Sequence, residues 1–453
     1  MDKNTITGIV LIALLFIGFT WWSQPSEEEI KAQQEQLAQQ EAAKDKAAKA
    51  EKDAVKAQRE RALQQTLEDS TALFHNALKG TAQNVVLKNK LVELTFNTKG
   101  ATVEKAVIKG YKDNIKEKND VVLFDKNEQS LNYTLVAKET NISTQDLYFN
   151  VSALTDSTVV FTAEAAAGKN IVLSYLLGKD YMLHMRLSVE GMAGLFAPNT
   201  STMDINWQEK GRQQEKGFNF ENRYATLTYH ESEGGTDYLS ETSEKIDKPI
   251  EERIDWVAFK NQFFSAVMIA KNNFAENSLM TSVPQEKGSG NLKQYEAKMK
   301  TFFDPSGKTP SEFDFYFGPN DFRLLKRVET ESTFGKDLEM QRLVYLGWPL
   351  FRIINRWFTI YVFDFLTGLN INMGIVLILI TLLLKFITFP MVKKSYMSSA
   401  KMRVLKPKLD AATAQFNKPE DQMQKQQAMM AEYSKYGVSP LSGCLPMLIQ
   451  API

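Results

Sequence analysis

A single cysteine, Cys444, stands in 453 residues, so no intramolecular disulfide can form and a cysteine-rich metal site is excluded. Three histidines, His75, His184 and His230, leave little material for histidine zinc sites or triad chemistry. Net charge is absent as well. The 54 Lys/Arg balance 54 Asp/Glu, which removes any global nucleic-acid footprint. A phosphate loop is missing too: Gly307-Lys308-Thr309 has the right ending, but Phe302 occupies the place of the first glycine. Flanked by Pro305 and Pro310, that stretch reads as a surface turn. Asp255 near Glu251 and Glu252 has no spacing that separates it from a solvated charged surface, and His184, on the polar side of an alternating run, is expected to be solvated. The sequons at Asn132, Asn141, Asn150 and Asn199 are chance matches if the chain is bacterial. The expectation is a protein with no catalytic residue, cofactor or metal.

Long apolar runs are present instead. Residues 373–392 are long enough to cross a bilayer as a helix, yet contain Lys385. A charge near the middle of a span costs roughly 2.5–3.5 kcal/mol on insertion scales, so its retention points to function. Thr381 lies one turn before it on the same face. Lys385 also stands five residues before Pro390, about 7.5 Å along a helix axis. Two readings therefore stay open: a side chain snorkelling to the headgroups, or a charge lining a wet cavity. Lys393, Lys394, Lys401, Arg403, Lys406 and Lys408 follow immediately, and residues 393–437 hold nine Lys/Arg against four Asp/Glu. By the positive-inside rule that end faces the cytoplasm. A second uncharged run, residues 5–22, ends in Trp21-Trp22 with no small-residue cleavage site after it, and reads as an uncleaved anchor.

The segments between these runs give a multi-domain membrane protein. Residues 1–23 are the anchor, and 24–82 a polar Ala/Glu/Lys/Gln spacer with a short helix expected around 73–78. Period-two alternation fills residues 83–325. Tyr181, Leu183, Met185, Leu187 and Val189 alternate with polar residues, as do Val92, Leu94 and Phe96 before the turn at Asn97-Thr98-Lys99-Gly100, and later Phe313, Phe315 and Phe317. Many short alternating strands predict a large antiparallel all-β super-sandwich, on the membrane side opposite the basic cluster, that is, in the periplasm with the N-terminus cytoplasmic. A linker is expected at 326–345 and an amphipathic helix lying in the membrane interface at 346–368, where Arg352, Asn355, Arg356 and Thr359 share one face. The second span, 373–392, leads to a cytoplasmic helical hairpin, 393–437, with arms at 394–416 and 422–436. Met397, Met402, Met423, Met429 and Met430 stud it, as plain packing or as a surface that adapts to apolar partners. Residues 441–453 begin a third apolar segment, shorter than the ~20 residues a span needs, so the α-helical transmembrane core is expected to be incomplete in this sequence.

Two stretches carry a family resemblance. Lys385-Phe-Ile-Thr-Phe-Pro-Met-Val-Lys-Lys-Ser-Tyr-Met-Ser-Ser-Ala-Lys-Met-Arg403 resembles the second span and hairpin start of the YidC/Oxa/Alb insertases, and Tyr436-Gly-Val-Ser-Pro-Leu-Ser-Gly-Cys-Leu-Pro-Met-Leu-Ile-Gln-Ala-Pro-Ile453 the start of their third span. The anchor and the β-region are similar to the Gram-negative form. The resemblance implies a non-enzymatic inner-membrane insertase and chaperone, working alone or with the Sec translocon. It implies a hydrophilic groove carrying a positive charge, with nascent inner-membrane proteins, lipid, ribosome and targeting factors as partners. Many members have arginine where this chain has Lys385, which keeps the charge but loses the bidentate guanidinium fork. Thr381 and Gln450 match other groove positions, and Lys401, Arg403, Lys406 and Lys408 would be hairpin contacts. A membrane-anchored periplasmic carbohydrate-binding or carbohydrate-active sandwich is the alternative from another class. It would place an acid pair or an aromatic platform in a cleft of the β-region.

Overall fold

The computed structural model describes residues 72–115, 119–138, 140–242, 245–331, 334–347, 349–414 and 421–437, with scattered positions between 50 and 69. The anchor, most of the spacer, Gln450 and the start of the third apolar segment lie outside the described residues. Two compact units emerge, one ending at Val344 and the other comprising Tyr345 onward.

In the first unit nineteen strands, among the described residues, form a four-stranded and a fifteen-stranded sheet. Every pairing is antiparallel. The alternation explains why. In Met182–Glu190, Leu183, Met185, Leu187 and Val189 are buried while His184, Arg186, Ser188 and Glu190 point outward. Val92, Leu94 and Phe96 likewise face the core. Gly100 makes the expected turn with φ +82°, a conformation that L side chains avoid. Rings fill the interior: Trp207 lies 4.0 Å from Phe259, and Phe96 4.8 Å from Tyr175, centroid to centroid. The unit also holds helices α1 (Phe218–Tyr224) and α2 (Phe322–Glu331).

The structure departs from the sequence expectations at four places here. Residues 73–78 form turns rather than a helix, with Phe74 at φ +65°. Six residues are too few for a self-supporting helix. Phe74 and Ala77 are buried instead, Phe74 N–H donates to the Ala165 carbonyl (3.1 Å) and Tyr148 N–H to that of Ala77 (2.6 Å). The expected linker is likewise structured. After α2, residues 334–344 strap across the sheet with Leu338, Met340 and Leu343 buried, and Trp256 Nε1–H donates to the Leu338 carbonyl at 2.6 Å. Asp255 is no surface carboxylate: it is buried and paired with Lys336 of the strap at 2.8 Å, and Lys336 also reaches the Ala270 carbonyl (3.0 Å) and the Asn273 side chain. His184 is half-buried rather than solvated, its Nδ1 2.6 Å from Oδ1 of buried Asp314. In each case the partner comes from a strand or strap far away in sequence. The Gly307 turn is a surface turn, closed by Asp304, whose carboxylate accepts from the Ser306 (2.8 Å) and Thr309 (2.9 Å) N–H groups.

The second unit is helical. Helix α3 (Pro349–Ile354) continues through a π-turn at Asn355–Thr359 into α4 (Ile360–Thr367). Helix α5 runs unbroken over Met373–Thr413, starting at Asn372, whose side chain accepts from the Gly374 N–H. The separate span and first hairpin arm expected from the sequence are therefore one helix, and Pro390 and Pro407 lie inside it. Each proline removes one backbone donor, but the flanking residues keep helical pairing. At 1.5 Å per residue, 41 residues span about 62 Å, twice the ~30 Å hydrocarbon core. Helix α6 (Gln422–Lys435) folds back along α5.

Candidate functional site

Among the described residues, one helical stretch, Met373–Pro390, is long and apolar enough to cross a membrane. Its packed side is set by α4, which contacts α5, and by Val376 and Ile380, both buried. At 100° per residue, Lys385 lies roughly 180° around the axis from Val376 and 140° from Ile380. It is exposed, and so is Thr381. The Thr381 hydroxyl donates to the Leu377 carbonyl at 2.8 Å, which satisfies its hydrogen inside the helix and leaves its oxygen able to accept. Leu382, Phe386 and Phe389 flank the two polar residues with exposed apolar surface. The structure thus brings Lys385 and Thr381 together on an exposed part of α5. Gln450 lies outside the described residues.

The hairpin closes on a small core. Leu405 and Leu409 of α5 are buried against Met402 and, from α6, Met429 and Tyr433. Its four basic residues do not form one patch. Lys401 and Lys408 line a groove of about 460 Å³ with Met397, Val404 and Tyr436, whereas the helical period turns Arg403 and Lys406 to the other side. Lys408 Nζ donates to the Tyr436 hydroxyl at 3.2 Å and sits 4.9 Å above its ring centre. Sequence reasoning passed over Tyr436, because only the pairing of the two arms brings it to Lys408. Of the methionines, Met402 and Met429 pack inside, while Met397, Met423 and Met430 are exposed.

On α3 and α4 a second feature stands out. Ile353, Trp357, Tyr361 and Phe365, each four residues from the next, are 59%, 69%, 58% and 70% exposed. Arg352 and Arg356 are exposed one position before two of them. Four large apolar side chains in one stripe form a surface that water does not stabilise and a bilayer interface does.

Comparison with known proteins matches these features. The family described as YidC periplasmic domain matches residues 84–361, and the family described as 60Kd inner membrane protein matches 365–453. A "Membrane protein insertase YidC" of Phocaeicola vulgatus is 46% identical over all of this chain and 72% of its own length. Among solved structures, the periplasmic domain of Thermotoga maritima YidC is 11% identical, with a TM-score of 0.27 over 58% of this chain and 94% of that one. A galactose mutarotase-like protein from Lactobacillus casei is 10% identical, with a TM-score of 0.33 over 52% of this chain and 100% of that one. Neither structural likeness is close enough to carry function. The two family matches and the near relative do decide the matter: this chain belongs to the YidC family of membrane protein insertases.

Proposed function

We propose that the chain inserts proteins into the inner membrane and helps them fold, without enzymatic chemistry, and that Lys385 and Thr381 belong to a hydrophilic groove receiving the polar tail of the incoming protein. The observation that carries this reading is an ionisable side chain with a hydroxyl one turn away, both exposed on an apolar helix long enough to cross a membrane. Moving a polar tail into hydrocarbon is costly because its charges and amides lose water. A wet groove shortens the dry path, and a fixed cation attracts acidic residues in the tail. Burial of the substrate's apolar span in lipid then drives its lateral release.

The remaining parts have matching roles. The stripe from Ile353 to Phe365 holds α3 and α4 in the membrane interface. The basic excess of the hairpin keeps that end in the cytoplasm, where Lys401, Arg403, Lys406 and Lys408 meet ribosome, targeting factors or anionic lipid. The β-unit then lies in the periplasm, and the Sec translocon is a partner for substrates that need both.

Insertion assays on three Lys385 variants of the whole protein test the reading. If charge is what matters, Lys385→Arg retains insertion, and Lys385→Leu stays abundant yet loses substrates with acidic periplasmic tails by about tenfold, since one charge contact in a partly dry site is worth on the order of 1–2 kcal/mol. Lys385→Glu is worse still, and neutral-tailed substrates suffer less. A snorkelling lysine gives the opposite pattern, with Lys385→Leu harmless and no dependence on tail charge. Indifference to Lys385→Glu would sink the proposal.

A further inference from the structure

Asn150–Leu154 is the one strand, among those described, whose residues are all exposed. It ends the fifteen-stranded sheet, pairing with Thr158–Ala166 on one side and, among the described residues, with no strand on the other. Register shows what this exposure means. Val151 stands opposite Phe161 and Leu154 opposite Val159, and both partners are fully buried. Residues directly opposite each other share a face, so Val151 and Leu154 point to the inner side of the sheet. Yet they are 38% and 56% exposed. The core ends before the sheet does, and two aliphatic side chains on its inner face are left partly bare.

A free edge presents a row of backbone N–H and C=O groups that another strand can pair, and folded proteins guard such edges with charge, proline or shortness. Three other edge strands here are guarded in those ways. Ile246–Ile250 carries Lys248 and Pro249, Asn84–Lys88 ends in a lysine, and Asn141–Ser143 is three residues long. From Tyr148 to Thr155, by contrast, the chain has neither charge nor proline. Its irregularity is a bulge between Val151 and Ala153. There the Ser152 hydroxyl donates to the Val160 carbonyl at 3.2 Å and lies 3.0 Å from the Thr162 hydroxyl, both on the strand already paired. The bulge residue is therefore tied to the sheet and not to the open side.

We propose that this edge receives an extended, uncharged segment of an incoming protein as an added strand and holds it until it folds or enters the bilayer. The proposal rests on the insertase reading above, which brings unfolded polypeptide to the side of the membrane where the β-unit lies. Backbone groups in strand spacing are matched by another extended backbone, which points to a polypeptide rather than a lipid or a small molecule. Alternate side chains of the added strand would cover Val151 and Leu154, so those positions are apolar, and a charged segment finds no counter-charge along the edge. Residues 24–71 of this chain, rich in Ala, Glu, Lys and Gln, are poor strand formers and do not suit the place. A second copy suits it little better. Five residues span about 17 Å, and pairing two such edges buries far less than the ~1,000 Å² of a lasting interface. A segment in transit needs weak contact, released once folding or lipid offers more burial.

The test is fluorescence anisotropy of a short fluorescein-labelled peptide of alternating threonine and valine, added to the full chain in lipid nanodiscs, with empty nanodiscs as the lipid background. Saturable binding in the micromolar to millimolar range is expected. The same peptide N-methylated at every amide keeps its side chains but loses its backbone donors, and should bind at least tenfold more weakly. Leu154→Lys puts a charge on the edge at an exposed position, and should weaken binding at least tenfold with an unchanged unfolding midpoint. Absence of saturable binding, equal binding of the N-methylated peptide, or unchanged binding by Leu154→Lys would each overturn the proposal. Self-association of the chain that Leu154→Lys abolishes would overturn it too, by giving the edge to a second copy. Binding is read without insertion taking place. A peptide that fails to bind, while Lys385→Leu still loses insertion, removes the edge from the mechanism and leaves the groove in it.

Discussion

Single residues in this chain are governed by partners that sequence does not announce. Asp255 and Lys336 stand 81 positions apart and meet because the strap crosses the sheet. Glu209 is different, because its place can be read. It falls in step with Met203, Ile205 and Trp207, all buried, so the alternation already carries a carboxylate into the core. There its Oε2 has no partner, and burial, with nearby Glu128 adding to it, pushes its pKa well above the usual 4.5. The sign follows from proton counts. Above about pH 4.5 the unfolded chain releases this proton while the folded chain keeps it, so stability is fully present below that pH and is lost as pH rises through the folded value. Glu209→Gln removes the dependence at nearly the same shape. Between pH 5 and 8 the variant should gain on the parent by up to about 1.4 kcal/mol per pH unit. Thermal unfolding of the full chain at both pH values measures this, and parallel curves would mean that Glu209 is ionised in the folded protein.

At the scale of elements, strands were legible and junctions were not. Period-two runs such as Met182–Glu190 declare both their conformation and their inner face. The strap is polar enough to pass for a linker, because its few apolar anchors, Leu338, Met340 and Leu343, keep no period. Pro390 misleads in the other direction: it suggests a boundary inside a helix that continues for 23 more residues, to Thr413. Helix α5 ends at Thr413 and α6 begins at Gln422, close to the ends expected for the two arms, yet the strength of their pairing could not be read. Among the described residues the hairpin's buried apolar side chains are Leu405 and Leu409. Leucine-to-alanine changes cost about 2–5 kcal/mol in full cores, more than a core of this size can spare. Leu409→Ala should therefore release α6 from α5. Hydrogen exchange followed by mass spectrometry should show residues 422–435 exchanging like unstructured chain, with 373–390 still protected. Protection retained in α6 would show that contacts beyond this core hold the hairpin.

For the whole molecule, charge position matters more than charge total. The formal sum is zero, but the nine Lys/Arg of residues 393–437 follow directly on the apolar part of α5, where loop charges act on orientation. The face bearing Lys385 was legible in the same way, as a charge at helical spacing from a hydroxyl. What would surround it lies outside the described residues, and no spacing rule supplies partners from other segments. Orientation can be tested directly because the chain has one native cysteine. Cys444→Ser removes it, and Gln427→Cys, exposed on α6, installs a reporter in the hairpin. In right-side-out membrane vesicles, a membrane-impermeant maleimide should leave Gln427→Cys unlabelled until detergent opens the vesicles. Replacing Lys393, Lys394, Lys401 and Arg403 with glutamine lowers the local basic count from nine to five, and a labelled fraction should then appear before detergent, because less charge opposes translocation of the hairpin. Lys425 and Lys435 stay in place, so the reporter's own surroundings do not change. If the unmodified hairpin is labelled in sealed vesicles, the orientation is the reverse of the one proposed, and the roles given to Lys385 and to the two faces of the membrane fall with it.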